Sequence, residues 1–161
     1  MRVLGIDPGT AITGFGIVTV ENRRLFAQGY GVVRTEAGQP LEKRLFYLHG
    51  EIEQLIARFE PAEVAVESLF FNKNVRSALA VGHARGVVLL AAAQHGLPVF
   101  EYTPLQVKQA MVGRGRAEKA QVQFMVRAIL GLQETPSPDD AADALAVAVC
   151  HANSVERSWL R

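Results

Sequence analysis

Asp7, Glu67, Asp140 and Asp143 are the residues whose types and settings point most directly to chemistry. Asp7 closes the apolar run Val3-Leu4-Gly5-Ile6 and opens the turn Pro8-Gly9-Thr10, while Glu67 closes a second run, Val64-Ala65-Val66. Asp140 and Asp143 stand three apart at the start of the Ala-rich stretch Asp140-Ala-Ala-Asp-Ala-Leu-Ala146, on one helical face. Acids at the ends of buried strands, beside two acids on one helix, repel one another unless divalent cations neutralise them. The four therefore read as a metal cage that acts on phosphates. Oxygen ligands select Mg²⁺ or Mn²⁺ over zinc, and the chain has no C-x-x-C or H-x-x-x-H spacing.

Each acid also has a plainer reading. Asp7 is a competent turn former, and Glu67 can be a strand-end acid turned to water. Ser137 can cap a helix whose first residue is Pro138, which makes Asp140 the third-residue acid of a capping box. That leaves Asp143, one turn further on, unexplained. The helix dipole favours each acid by only about 0.3–1 kcal/mol, too little to hold four converging carboxylates without cations. Asp139 points elsewhere on the helix and takes a capping or solvent role.

Positioning these residues requires strands that end at them. Residues 2–7, 14–21 and 24–34 read as three strands of an antiparallel meander, punctuated by Gly14, Gly16, Glu21-Asn22 and Gly29. Leu41, Leu45, Leu48, Ile52, Leu55, Ile56 and Phe59 recur at helical spacing, and Pro61 stops that helix. A strand over 62–67, a helix near 74–95, a short strand 99–102 and helices at 104–111 and 117–130 follow. The last helix starts at Ser137-Pro138 and runs to about residue 152. These elements make an α/β domain: a mixed five-stranded sheet, the meander plus parallel strands, with helices on both faces. One domain over 1–152 and a frayed tail over 153–161 account for the chain.

The helix at 74–95 is apolar nearly all round, from Ala78 to Ala93, and so is buried on two sides. The sheet covers one side. The other is covered either by the chain's own helices or by a second copy, with Gly82 and Gly86 permitting close approach.

With 161 residues, 49% of them hydrophobic and 20% charged, the composition is that of a soluble globular protein. No segment approaches the roughly 18 apolar residues of a membrane span, and the first residues enter a strand without a signal peptide. The single cysteine, Cys150, excludes an internal disulfide and fits a cytoplasmic protein with a buried structural thiol. The net charge of +1 conceals an uneven distribution. Between Ser68 and Ala117, Lys73, Arg76, Arg85, Lys108, Arg114 and Arg116 face a single acid, Glu101, whereas residues 36–60 are acid-rich. The basic stretch favours a polyanion on one face. Phe70-Phe71, in a basic loop directly after Glu67, either stacks on or wedges between bases or forms a hydrophobic plug. Lys108 and Lys119 flank the loop Gly113-Arg-Gly-Arg116, an arrangement suited to phosphate contact.

In order and spacing these segments resemble the RuvC family of Holliday-junction resolvases over residues 1 to about 152. The residues that carry the resemblance include Gly5-Ile-Asp-Pro-Gly-Thr10, Val66-Glu67, Lys73-Asn74, Ala84-Arg-Gly86, Gln106-Val-Lys-Gln109, Ala117-Glu-Lys-Ala120 and Asp140-Ala-Ala-Asp-Ala-Leu-Ala146. The resemblance implies a ribonuclease H-like fold and a catalytic and metal-binding tetrad of Asp7, Glu67, Asp140 and Asp143. It also implies Phe70 as the aromatic that probes the junction, and Lys108 and Lys119 near the scissile phosphate, with Lys119 in a catalytic role. The implied activity is paired, symmetric nicking of four-way DNA in recombination and repair, by a homodimer that works with the RuvA–RuvB branch-migration machine. Two Mg²⁺ per site, or Mn²⁺, fit in-line hydrolysis: one ion activates water and the other stabilises the leaving 3′ oxygen. Expected DNA contacts are Phe70, Phe71, Lys73, Arg76, Lys108, Arg114, Arg116 and Lys119. A junction binder without nuclease activity would need a broken tetrad, and a kinase-like fold would need a second domain. A ribonuclease H acting on RNA–DNA hybrids is the nearest rival; it shares the metal site but has no use for the apolar helix.

Overall fold

The computed structural model describes residues 1–68, 74–113 and 115–159, the last four as backbone only. The elements run β1 (Arg2–Asp7), β2 (Ile12–Glu21), β3 (Arg24–Arg34), α1 (Leu41–Phe59), β4 (Glu63–Glu67), α2 (Val75–Gln94), β5 (Val99–Tyr102), α3 (Pro104–Val112), α4 (Lys119–Leu130) and α5 (Asp139–Trp159). The strands form one sheet in the order β3-β2-β1-β4-β5. Neighbours in the meander β1–β3 are antiparallel, and β4 joins β1 and β5 in parallel. This is the expected ribonuclease H-like arrangement.

Local chemistry explains the boundaries. Asn22 and Arg23, the two residues between β2 and β3, have φ of 50° and 63°, the left-handed pair that a tight hairpin with strand-matched twist requires. Asn74 caps α2 by accepting from the amides of Arg76 and Ser77, and Thr103 with Gln106 closes a capping box on α3. Two expectations at α5 are corrected. The helix begins at Asp139, after a cis Ser137–Pro138 bond, so Asp140 is its second residue and the Ser137 capping box does not form. The Pro138 carbonyl instead accepts from the Ala141 amide. The helix also continues to Trp159 rather than ending near residue 152.

Strand alternation divides the core in two. Leu4, Ile6, Val64 and Val66 point to the face covered by α1 and α2, where they meet Leu48, Ile52, Ile56, Ala84, Val88, Ala91 and Ala92. Val3 and Ala65 point to the other face, beneath α3, α4 and α5. Cys150 is buried there, with its thiol against the Gln106 carbonyl at 3.8 Å.

α2 is half covered. Ala84 is fully buried against the sheet, while Val75, Leu79 and Leu90 are 72%, 58% and 54% exposed along the opposite stripe, which also holds Gly86. α2 is 20 residues long and contains an 18-residue window of mean hydropathy 1.3, so it has the length and composition of a membrane span, contrary to expectation. Its buried stripe belongs to the domain core.

Candidate active site

The rule that divides the core also aims the acids. Asp7 follows Val3 and Gly5 at intervals of two, so it points toward α5; on β4, Glu67 follows Ala65 and does the same. Ile6 pairs with Val66, which sets Asp7 and Glu67 side by side at the C-terminal ends of adjacent parallel strands. Open α/β sheets place ligands at such strand ends.

α5 can reach these acids because glycines clear its path. A Cβ at Gly14, the β2 partner of Asp7, would overlap the Asp140 carbonyl; at Gly5 it would overlap the Ala144 carbonyl, and at Gly16 it would lie 2.7 Å from Leu145 Cδ2. The first turns of α5 therefore lie almost on the strand backbones. Asp140 and Asp143 are thereby brought close enough to act electrostatically on Asp7.

The result is a crowd of like charge. Burial first, then the charges of Glu67, Asp143 and Asp140, push the Asp7 carboxyl up to about 8. The Asp7 and Glu67 carboxyls are close enough to interact directly, which further favours a proton on Asp7. Burial also raises Glu67, as does the charge of Asp143; the interaction with Asp7 and the cations Lys108 and Lys119 pull the other way. Asp143 is raised mainly by burial, against the opposing influence of Lys119.

The Lys119 ammonium lies 3.4 Å from Asp143 Oδ2 and 3.2 Å from Asp139 Oδ2. Burial lowers the Lys119 pKa, but the charges of Asp143 and Asp139 outweigh this and leave it raised. Asp139 is thus no idle cap. It accepts from Lys119 and from Gln123 Nε2 (3.0 Å), which tie α5 to α4 and hold its carboxyl below the ordinary range. Glu67, Asp143, Lys108 and Lys119 together line a cavity of about 200 Å³ walled by Val107, Val122 and Ala146.

Among the described residues, no three His, Cys, Asp or Glu side chains close to the spacing of a formed metal cage. The raised Asp7 carboxyl, which favours its proton, and the Lys119 ammonium partly offset the repulsion instead. The donor set, oxygen throughout and with more negative charge than its surroundings neutralise, suits a hard divalent cation.

Of the expected DNA contacts, Lys108 and Lys119 come together at this cavity, and Arg76 is exposed on the first turn of α2. Arg116 lines a separate shallow groove with Glu118 and Gln121. Phe70, Phe71, Lys73 and Arg114 lie outside the described residues.

A polar chain that the motif reading did not single out lies further along the same sheet face. The buried His151 shares hydrogen bonds with the Tyr102 hydroxyl at Nδ1 (2.7 Å) and with Glu63 Oε2 at Nε2 (2.5 Å), and its ring centroid lies 4.5 Å from that of Phe100. Strand parity was the available signal: Glu63 lies four residues before Glu67 on β4 and so shares its face.

The chain matches the family model described as crossover junction endodeoxyribonuclease RuvC over residues 3–151. A crossover junction endodeoxyribonuclease RuvC of Desulfitobacterium hafniense is 62% identical over 155 residues, covering 96% of this chain and 94% of the relative. The structure of Thermus thermophilus RuvC superposes with a TM-score of 0.92 at 43% identity, covering 98% of this chain and 97% of that one. The same protein in complex with a Holliday junction substrate gives 0.94 at 43% identity, covering 98% and 96%. With the fold, the four acids and these matches in agreement across nearly its whole length, the chain belongs to the RuvC family.

Proposed function

We propose that the protein is a metal-dependent endodeoxyribonuclease that resolves four-way DNA junctions by paired, symmetric nicks, in recombination and repair. One observation carries this reading: Asp7, set among Glu67, Asp143 and Asp140, is pushed up to about 8 first by burial and then by their negative charge, which divalent cations would relieve. The relatives' names support the DNA substrate, since the Thermus thermophilus homologue has a structure in complex with a Holliday junction substrate.

Asp7, Glu67, Asp140 and Asp143 would hold the divalent cations, and two Mg²⁺ or Mn²⁺ ions fit this all-oxygen donor set. When bound, they supply activation of water and neutralisation of charge on the leaving 3′ oxygen. The chain's own residues do the rest. Asp7, whose carboxyl is raised in the metal-free site, would have to be ionised to serve as a ligand, so cation binding would be coupled to loss of its proton. Lys119, held at the rim by Asp139 and Asp143, and Lys108 across the cavity orient the scissile phosphate. Lys73, Arg76, Arg114 and Arg116 add backbone affinity, and Phe70, alone or with Phe71, unstacks bases at the crossover.

The exposed stripe of α2 supports a homodimer. A junction has approximate two-fold symmetry and is cut twice at equivalent positions, which an isologous pair matches. Cooperation with the RuvA–RuvB complex in the cytoplasm completes the reading.

The test is cleavage of a mobile four-way junction beside a linear duplex and an RNA–DNA hybrid, each with Mg²⁺ or Mn²⁺. Paired nicks confined to the junction are expected. Preferential cutting of the hybrid's RNA strand would replace this reading with that of a ribonuclease H.

A further inference from the structure

A second cationic groove opens at the same end of the sheet as the acids. β1 and β4 finish at Asp7 and Glu67, and β3, parallel in direction to β1, finishes at Arg34 at that end. Beyond it lies a cavity of about 410 Å³ lined by Arg34, Lys43, Arg44 and the half-exposed Tyr47, with Glu36 as its one acid. Among the described residues none of the three cations is in an ion pair. Their charge is left for something outside the chain.

The groove is anchored to the catalytic turn. Arg44 Nε donates to Thr35 Oγ1 at 2.9 Å, and the Thr35 hydroxyl donates to the Thr10 carbonyl at 2.6 Å, three residues beyond Asp7. The Thr10 hydroxyl in turn donates to the Ala80 carbonyl of α2 at 2.5 Å. With Nε committed, the two terminal amino groups of Arg44 remain to grip a phosphate in bidentate fashion. α1 starts here with no side-chain cap, and its first-turn dipole attracts an anion against the opposing charge of the exposed Glu42.

Position decides what such a site would hold. Lys43 and Arg44 ride on α1, which packs on one face of the sheet, whereas Lys108 and Lys119 ride on α3 and α4 on the other. Two strand spacings of about 4.8 Å separate β3 from β1, so the groove begins roughly 10 Å across the sheet from Asp7. A straight duplex lying on the acids follows one face only. DNA that branches at the acids can send a second arm over the sheet end.

We propose that Arg34, Lys43 and Arg44 bind the phosphate backbone of a second duplex arm and thereby select branched over linear DNA. This rests on the junction-cleaving reading above and adds its basis of selection.

The experiment measures the affinity of full-length protein for a four-way junction and for a linear duplex of equal length, without divalent metal, across a range of salt. The proteins are wild type, Lys43→Gln, Arg44→Lys, the triple variant Arg34→Gln/Lys43→Gln/Arg44→Gln, and Arg24→Gln. Arg24 lies at the opposite end of β3 and serves as the control for loss of charge alone. The triple variant should bind the junction about tenfold to a hundredfold more weakly, with a log–log salt slope shallower by roughly 2–3, and bind the duplex as before. Lys43→Gln, whose side chain makes no internal bond that folding needs, should lower the slope by about 0.9. Arg44→Lys should fall between wild type and the triple variant, because it keeps the charge and loses the fork. Unchanged junction affinity, or equal losses on junction and duplex, would overturn the proposal. A wild-type protein that neither prefers nor cuts junctions would instead overturn the functional reading on which it rests.

Discussion

α5 carries two polar clusters onto one face of the sheet, and they differ in a telling way. Near its start, Asp140 and Asp143 meet Asp7 and Glu67; further on, His151 meets Glu63 and Tyr102. Glu63 and Glu67 are the same residue type, four positions apart on one strand. The His151 cluster is complete: each ring nitrogen has a partner and the imidazole is fully buried. In the acid cluster, by contrast, the ammonium that opposes the carboxylates directly is Lys119, whose side chain is 55% exposed. A polar cluster that the chain satisfies by itself fastens a helix to a sheet. One left with excess charge of one sign is built to be completed from outside.

The sharpest way to break this comparison is to remove one residue from each cluster. Asp7→Asn should reduce junction cleavage by at least about a thousandfold while junction binding stays near wild type or tightens, because on the proposed mechanism the change removes a carboxylate the cations need but no packing. A single-turnover assay in Mg²⁺ measures the loss, and more than a trace of activity would end the metal-cage reading. His151→Ala should do the reverse. Losing a buried ring and leaving Tyr102 and Glu63 without it should cost about 2–4 kcal/mol in denaturant unfolding, with cleavage per folded molecule within a few-fold of wild type. If His151→Ala abolishes cleavage in protein that is demonstrably folded, the two clusters are one site.

The exposed stripe of α2 is an apolar counterpart of the acids, a surface the chain does not complete. Leu90→Glu should dissociate the expected dimer at micromolar concentration, as read by sedimentation, because the charge would be buried unpaired against the second copy. Ala84→Glu is not a test of the interface. Ala84 is wholly buried against the chain's own sheet, so that variant should instead fail to fold.

Most of this architecture was legible in the sequence because it follows from period. Alternation along β1 and β4 separates Leu4, Ile6, Val64 and Val66 from Asp7 and Glu67, and the stretch from Asp140 announces a slim helix. What escaped depended on contacts between distant segments. Asp139 meets Lys119 across twenty positions. Residues 36–60 read as acidic when counted along the chain. In three dimensions Lys43 and Arg44, on α1, instead join Arg34 at the end of β3 to make a basic groove.

The pH dependence sharpens the contrast further. Asp7 has a folded-state pKa of about 8 against an ordinary 3.8, so the folded metal-free protein favours the protonated carboxyl. The stability this contributes is fully present below about 4 and is lost progressively as the pH rises through about 8. Asp7→Asn removes that loss. Without metal, the variant should therefore unfold at a higher temperature than wild type, with the gap widening from pH 4 to pH 8 and then levelling. Saturating Mg²⁺ should stabilise wild type and narrow the gap, because cation binding to the ionised carboxylates replaces the missing protons. A gap that is constant with pH would mean that Asp7 ionises freely and that the site carries no excess charge.

The smallest effect separates two neighbours on one helix. Asp139 and Asp143 both contact Lys119, yet Asp139 is largely exposed, whereas Asp143 is raised by burial and faces the acids. Asp139→Asn removes one of two anchors on an exposed ammonium, so stability should stay close to that of wild type. Its amide oxygen still accepts from Lys119 and Gln123, which keeps α4 against α5. Cleavage should fall at most a few-fold, through a looser Lys119, and the loss should appear in substrate affinity rather than in the maximal rate. Asp143→Asn, removing a ligand, should by contrast abolish the maximal rate and leave affinity intact. Kinetics for the two variants across junction concentrations separate the cases. If Asp139→Asn also loses the maximal rate, Lys119 must be fixed to within a fraction of an ångström during the chemical step, and Asp139 then belongs with the acids rather than with the surface.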